Sequence, residues 1–244
     1  MSTSNTQFPL LFEPQKQYLK QDFMVSNCNK NAYKSIEMWP EWPFFAMLIF
    51  GPKGCGKTHL AHIFAEDVCL KSKKTFAVQI LQAADIKTSK VARIHKENPC
   101  LIVENVSLKV NEEALFHLFN VYQNEGGSIL FTSEKPFSHI PFKLPDLASR
   151  LKVVPCVPIL SPDDDMLEAL IIKLFTDRQI SVSAEVLNYI IQNMERSFSY
   201  AEKLVAEADK ISLSLKRAVS VPMIKQAMYT LSHNTQQELF ENIS

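Results

Sequence analysis

Gly51-Pro52-Lys53-Gly54-Cys55-Gly56-Lys57-Thr58 fits the pattern G-x-x-x-x-G-K-[ST] in full. The flanking residues decide what the pattern means. Residues 46–50, Ala-Met-Leu-Ile-Phe, form an apolar run of strand length that ends where the glycines begin. Residues 57–70 read as a helix with Leu60, Ile63, Phe64 and Val68 on one face. Strand, glycine loop, helix is the arrangement that anion binding requires. Glycines let successive backbone N–H groups turn toward one anion. The helix N-terminus adds the positive end of its dipole, and a lysine reaches the outer phosphates. Gly51, Gly54, Gly56 and Lys57 therefore read as a phosphate-binding loop, with the Thr58 hydroxyl offered to Mg²⁺. Cys55 reads as a tolerated small residue. The chain has 5 glycines, and three of them fall in this one stretch, which argues against a chance match.

Residues 75–80, 99–103, 128–132 and 153–157 read as further strands. Residues 112–122 read as an amphipathic helix with Leu115, Leu118, Phe119 and Tyr122 on one face, closed by Gly126-Gly127. Strands alternating with helices predict an α/β fold with a parallel sheet covered on both faces. From Ser161 the pattern changes. Ser161-Pro162-Asp163-Asp164 offers a capping hydroxyl, a proline at the first helical position and acids against the dipole. Helical runs follow at 163–177, 183–194, 198–215 and 221–231, with no strand between them. The chain thus divides into a leader (1–17), an α/β nucleotide-binding domain (18–160), a small all-helical lid domain (161–231) and a polar tail (232–244).

Composition narrows the partners. Hydrophobic residues make up 46% of the 244, enough for a proper core, and the net charge is zero. A neutral chain has no general affinity for polyanions, so gripping DNA alone is disfavoured. Cys28, Cys55, Cys69, Cys100 and Cys156 show no metal spacing and no C-x-x-C, which reads as reduced thiols in a cytoplasm. No stretch has a signal-peptide layout, and no apolar run approaches the ~20 residues of a membrane span.

Other stretches carry chemistry with two readings each. Gln7-Phe8-Pro9-Leu10-Leu11-Phe12 is an apolar peptide in which Pro9 excludes a helix interior. Either it folds back onto the domain or a partner takes it in a groove. Asp22-Phe23-Met24-Val25 and a helix-like run over 29–38 precede the loop. Phe23 and Val25 are placed to sandwich a nucleotide base, or they pack the leader on the core. The third strand ends in Glu104-Asn105. A phosphate-loop enzyme needs an acid here for Mg²⁺ and a second beside it to activate water. Glu104 supplies the first, but Asn105 cannot accept a proton, so nucleotide binding with slow or absent hydrolysis is expected. Ser133, at the end of the fourth strand, senses a terminal phosphate or caps the strand. Asp146 and Arg150 form an exposed i,i+4 pair, or Arg150 reaches a phosphate in a neighbouring subunit. Arg196 reaches back across the interdomain cleft to a phosphate, or it pairs with Glu195 or Glu202. His59 and His62 on the loop helix have no metal-ligating partner.

Over roughly 7–231 these residues resemble the DnaA-like AAA+ ATPase family of bacterial replication initiators, and within it the shorter Hda-type regulatory inactivators of DnaA. Leu144-Pro145-Asp146-Leu147-Ala148-Ser149-Arg150-Leu151 is similar to the family's arginine-finger segment. Ser133-Glu134-Lys135-Pro136 resembles its sensor-1 turn. Asp22-Phe23-Met24-Val25 with Asn29 and Ala32 resembles its adenine-side box. Arg196 falls where the sensor-2 arginine is expected. The resemblance implies an AAA+ sheet domain with a helical lid, and ADP or ATP as ligand. It implies nucleotide contacts from Phe23, Val25, Gly51, Gly54, Cys55, Gly56, Lys57, Thr58, His59 and Arg196. Mg²⁺ is expected on Thr58 and Glu104, and Arg150 is expected to act in trans. Gln7, Phe8, Leu10, Leu11 and Phe12 resemble the peptide that binds the sliding clamp, the beta subunit of DNA polymerase III, with Phe8 replacing the usual Leu. Through the clamp the chain is expected to meet DNA indirectly. Gln236-Gln237-Glu238-Leu239-Phe240 repeats the Gln-x-x-Leu-Phe shape, as a second contact or by chance.

DnaA continues into a helix-turn-helix domain after the lid, and the resemblance leads one to expect a shorter, Hda-type protein without it. The implied role is regulatory inactivation of DnaA: a cytoplasmic, membrane-free protein, open to homo-oligomers, with weak or absent ATPase activity of its own. It would bind the clamp and stimulate hydrolysis of DnaA-bound ATP. Two rivals stand beside this reading. One is a stand-alone DnaA-like ATPase, initiator or helicase loader with its own turnover. The other is a non-catalytic adaptor between clamp and DnaA.

Overall fold

The computed structural model describes residues 18–72 and 78–241, with side chains as far as 233. The peptide at Gln7–Phe12 lies outside the described residues. Five strands form one sheet: β1 (Ala46–Phe50), β2 (Gln79–Gln82), β3 (Cys100–Val106), β4 (Ser128–Ser133) and β5 (Cys156–Pro158). Their order is β2-β3-β4-β1-β5, and every pairing is parallel. Parallel strands need crossovers, which here are helices on both faces. The crossover helices are α2 (Lys57–Lys71), α3 (Val91–Glu97), α4 (Glu112–Glu125) and α5 (Pro145–Lys152), and α1 (Lys30–Glu37) precedes the first strand.

Strand alternation assigns the two faces. Ala46, Leu48, Leu101, Val103, Ile129 and Phe131 point to one side, where α4 buries Leu115, Leu118 and Phe119. Met47, Ile49, Cys100, Ile102 and Leu130 point to the other, where α2 buries Leu60, Ile63 and Phe64. Each fully buried Leu, Ile or Phe contributes about 1.5–3 kcal/mol. The runs read as apolar throughout because both faces are covered.

The lid is a separate helical unit: α6 (Asp164–Thr176), α7 (Ala184–Asn193), α8 (Phe198–Leu215) and α9 (Val221–Glu241). Leu167, Ile171, Phe175, Ile190, Leu204 and Ile224 form its own core. The α6 cap is Asp163, whose Oδ1 accepts the Met166 N–H at 2.9 Å, rather than the expected Ser161. Short backbone links tie down the end of the sheet domain, just before the lid. Ile159 N–H donates to Phe50 O at 2.7 Å, and Leu160 N–H donates to Cys28 O at 2.9 Å. Lys173 of α6 bonds Asp22 at 2.8 Å, and Met24 packs against the lid core. Upstream, Lys20 bonds both Asp67 carboxylate oxygens, at 2.9 and 3.1 Å. That hydrogen-bonded carboxylate raises the Lys20 ammonium above its usual range.

Boundaries differ from expectation where apolar pattern alone misleads. β2 occupies Gln79–Gln82 rather than 75–80, and residues 73–77 lie outside the described part. β5 is limited to Cys156–Pro158, because Val154 already packs into the core beside α5 and Val153 is exposed. α3 buries only Val91 and Ile94, too sparse a signal to read in advance. The last helix runs on to Glu241 through residues expected to form a tail.

Two protonated groups sit beside the sheet. Tyr122 donates its hydroxyl proton to Asn98 O at 2.5 Å. Burial raises its pKa above the ordinary tyrosine range and pushes the Cys100 thiol from 9.0 up to about 12. The unfolded thiol ionises near pH 9.0, whereas the folded one keeps its proton to about pH 12. The folded state therefore binds more protons in that window. Its stability is fully present below the unfolded value and is lost as pH rises through the folded one. Urea midpoints should fall between those limits, and Cys100→Ala should make the fall shallower.

Candidate functional site

The carboxyl ends of β1, β3 and β4 open into a cleft of about 860 Å³ between the sheet domain and the lid. This is where parallel α/β sheets place ligands, outside the strand ends where neighbouring connections diverge. One wall is the glycine loop. Gly51 leaves β1 where an added Cβ would stand 2.3 Å from the Ile159 carbonyl oxygen. Gly54 has φ +69° and an added Cβ would meet Ser199 Cβ at 2.8 Å. Gly56, with φ +96°, is the left-handed cap that turns the chain into α2. Lys57 curls under the loop and donates to Gly51 O and Pro52 O, both at 2.8 Å. Thr58, His59 and Lys53 complete this wall, and Lys109 and Lys135 face it from the β3 and β4 exits. The closely approached backbone, the helix N-terminus and the lysines fit a bound polyphosphate.

Cys55 is buried beneath the loop, and burial raises its thiol against the opposing charge of Lys57. It backs Gly51 rather than lining the cleft.

The β3 end carries the acid. Glu104 continues the alternation toward the α2 side and is 4% exposed. Its Oε2 accepts from Gln82 Nε2 at 3.4 Å, while Oε1 is buried without a hydrogen-bond partner among the described residues. A buried carboxylate oxygen needs a cation or a donor. Carboxylate and hydroxyl oxygens are the hard donors that Mg²⁺ takes; Thr58 lines the cleft, whereas Glu104 lies behind its lining. Asn105 follows in a bulge between Val103 and Val106, with φ +59°. Its N–H donates to Thr132 Oγ1 at 3.1 Å and its Nδ2 to Gln82 Oε1 at 2.8 Å. Gln82 therefore holds both members of the expected acid pair, a role that sequence reading missed because β2 was placed too early.

On the base side, Phe23 stacks on Tyr33, with centroids 5.8 Å apart, and meets His59 edge-on at 5.1 Å. His59 Nε2 bonds Leu19 O at 2.8 Å. Phe23 and His59 both line the cleft. Val25 does not. It is 50% exposed, and Met24 lines the cleft beside Phe23.

Two further residues depart from expectation. Ser133 is wholly buried, and its hydroxyl turns back to Lys135 O in its own turn. It caps the strand and does not line the cleft. Arg196 lies two residues before α8 and pairs with Asp164 at 2.7 Å, outside the cleft lining. The first-turn carboxylate of α6 captures it, rather than Glu195 or Glu202. The lid instead brings Phe198, Ser199 and Glu202 to the cleft, and Ser199 N–H donates to Gly54 O at 3.4 Å. The Ser197 cap, with its side chain accepting Tyr200 N–H, was the sequence signal for this helix start.

Arg150 stands elsewhere. It is exposed on α5, bonded to Gln123 of α4 rather than to Asp146, and it does not line the chain's own cleft. Among the described residues, no helix is long and apolar enough to cross a membrane, and no cluster of three metal-ligating side chains occurs.

Comparison with known proteins agrees with this geometry. Residues 14–154 match the family described as the bacterial DnaA ATPase domain, and residues 163–228 match the Hda lid domain. An uncharacterized protein of Haemophilus influenzae is 27% identical over 190 residues, covering 76% of this chain and 81% of that one. The chromosomal replication initiator protein DnaA of Symbiobacterium thermophilum is 25% identical over 232 residues, covering 86% of this chain. The chain spans about half the length of that relative, 51%. In three dimensions it is similar to domain III of the Thermotoga maritima replication initiation protein DnaA. There the TM-score is 0.74 at 18% identity, over 87% of this chain and 96% of that one. AMPPCP-bound DnaA from Aquifex aeolicus gives a TM-score of 0.67 at 19% identity, over 90% of this chain and 71% of that one. With a DnaA-type sheet domain over residues 14–154 and an Hda-type lid over residues 163–228, the chain belongs to the DnaA-like AAA+ family.

Proposed function

We propose that this chain is a regulator of replication initiation that binds adenine nucleotide in the interdomain cleft and stimulates hydrolysis of ATP bound on DnaA. The observation that carries the reading is the separation of Arg150 from the chain's own cleft. An exposed guanidinium outside its own site is available to a phosphate on a neighbouring chain. Bound nucleotide, with Mg²⁺ on Thr58 and Glu104, supplies the phosphate charge that the loop is built to hold. The glycine loop and Lys57 bind that charge, Phe23 and His59 border the base side, and Ser199 ties the loop to the lid. Asn105, bonded to Gln82 and Thr132, offers no proton acceptor, so turnover by the chain itself is slow or absent. The Gln7–Phe12 peptide delivers the protein to the sliding clamp, and through it to DNA.

The test is a reconstitution of ATP-bound DnaA, DNA-loaded clamp and this protein, followed by phosphate release. Release should rise with all three present and fall back without the clamp. Equal release without the clamp overturns the clamp assignment. A second reading, a stand-alone ATPase, draws on Glu104 Oε1, which has no hydrogen-bond partner among the described residues; it requires steady turnover by the purified chain without DnaA. The base side has its own check by titration with ADP. Stacking on an aromatic is worth about 1–3 kcal/mol per base, so Phe23→Ala should weaken binding by roughly 5- to 100-fold. Val25→Ala should leave it unchanged.

A further inference from the structure

Helix α4 supports α5 at two places. At the start, the Glu112 carboxylate accepts the backbone N–H groups of Lys143, at 3.0 Å, and Leu144, at 2.7 Å. These are amides just before the helix, where intrahelical partners are lacking. Toward the end of α5, Arg150 Nη1 donates to Gln123 Oε1 at 2.8 Å. The guanidinium carbon also lies 5.4 Å from the centroid of the Phe116 ring. Gln123 and Phe116 both belong to α4.

The chemistry of this seat is specific. An amide oxygen and an aromatic face both orient a guanidinium, and neither neutralises it. A carboxylate in the same place would hold the arginine more tightly and cancel its charge. Asp146, four residues earlier on the same helix, is such a carboxylate, and the arginine is not turned toward it. Arginine carries five N–H donors, and Gln123 takes one of them, so the rest of the fork remains available to an anion.

We propose that Gln123 and Phe116 are positioning residues that pre-organise Arg150 for a phosphate group on a neighbouring chain. The inference rests on the reading of Arg150 as acting in trans. Its physical basis is entropy: a long side chain ordered before encounter loses less freedom on binding. The neutral seat keeps the full charge for the phosphate.

The experiment measures phosphate release from ATP-bound DnaA with DNA-loaded clamp and the full chain, at several salt concentrations, beside ADP affinity. Gln123→Ala should lower stimulation about three- to tenfold, the value of ordering one rotamer-rich side chain. Phe116→Leu keeps apolar bulk and removes the ring face; it should lower stimulation about two- to fivefold. Gln123→Glu should lower it further, and its deficit relative to wild type should shrink as salt screens the new ion pair. ADP affinity should stay unchanged throughout. A purely structural role for Gln123 would produce no salt-dependent ratio, and that result overturns the proposal. Gln123 variants at wild-type level, with stimulation lost in Arg150→Ala, overturn the seat and leave the trans reading standing. Full stimulation by Arg150→Ala overturns the trans reading, and the seat with it.

Discussion

Arg150→Ala is expected to remove about 10³-fold of the stimulated phosphate release from DnaA-bound ATP, the lower end of what an arginine supplied in trans contributes. The same variant should bind ADP as tightly as wild type, because Arg150 does not line the chain's own cleft. It should also fold normally. Arg150 and Gln123 are both exposed, so truncation returns Gln123 to water and leaves no buried group unpaired. A change in folding stability within about 0.5 kcal/mol is expected for such a surface position. Lys57→Ala supplies the opposite pattern. Its ammonium is buried against Gly51 O and Pro52 O, so its loss removes nucleotide binding and loosens the loop. Stimulation retained by Arg150→Ala, or lost only in proportion to a lost ADP affinity, would show that the chemistry in the partner does not use this side chain.

The contrast between these two residues reflects how much of the molecule was legible in the sequence. Lys57 sits in a motif whose spacing is its geometry: three closely spaced glycines, a lysine and a helix start are all local. β1 and α2 accordingly appear where their patterns place them, and the two faces of the sheet follow from alternation. Residues whose role depends on distant partners were legible only as types. Arg196 was read as a cation facing the cleft, but the α6 N-terminus offers it Asp164 at 2.7 Å. Ser133 carries two readings in the sequence, sensor or strand cap, and its own tight turn offers the nearer acceptor. Val25 and Met24 are equally apolar in the sequence, and only the attachment of the segment to the lid decides which faces inward. Gln82 and Gln123 carry no motif at all. Each acquires its role from pairing between elements: β2 beside β3 in one case, α4 beside α5 in the other.

The loop glycines allow a sharper test of the same point, because two of them face different domains. Gly51→Ala is expected to destabilise the fold by about 2–4 kcal/mol. An added Cβ would stand 2.3 Å from the Ile159 carbonyl oxygen. That carbonyl cannot retreat easily, since Ile159 is buried and its N–H is bonded to Phe50 O at 2.7 Å. Relief therefore requires β1 to separate from the strand that enters the lid, and the urea midpoint should drop accordingly. Gly54→Ala meets a different neighbour. Its φ of +69° costs roughly 1–2 kcal/mol for a residue with a Cβ. The added atom would approach Ser199 Cβ at 2.8 Å, on a helix of the lid. The lid is a separate core and can shift where β1 cannot. Gly54→Ala should thus keep most of the folding stability, while ADP affinity falls by more than about tenfold, equivalent to 1.4 kcal/mol. The two variants are compared by urea denaturation and ADP titration on the same preparations. Equal losses of stability in both would mean that the lid is as rigidly fixed to the loop as Ile159 is to β1.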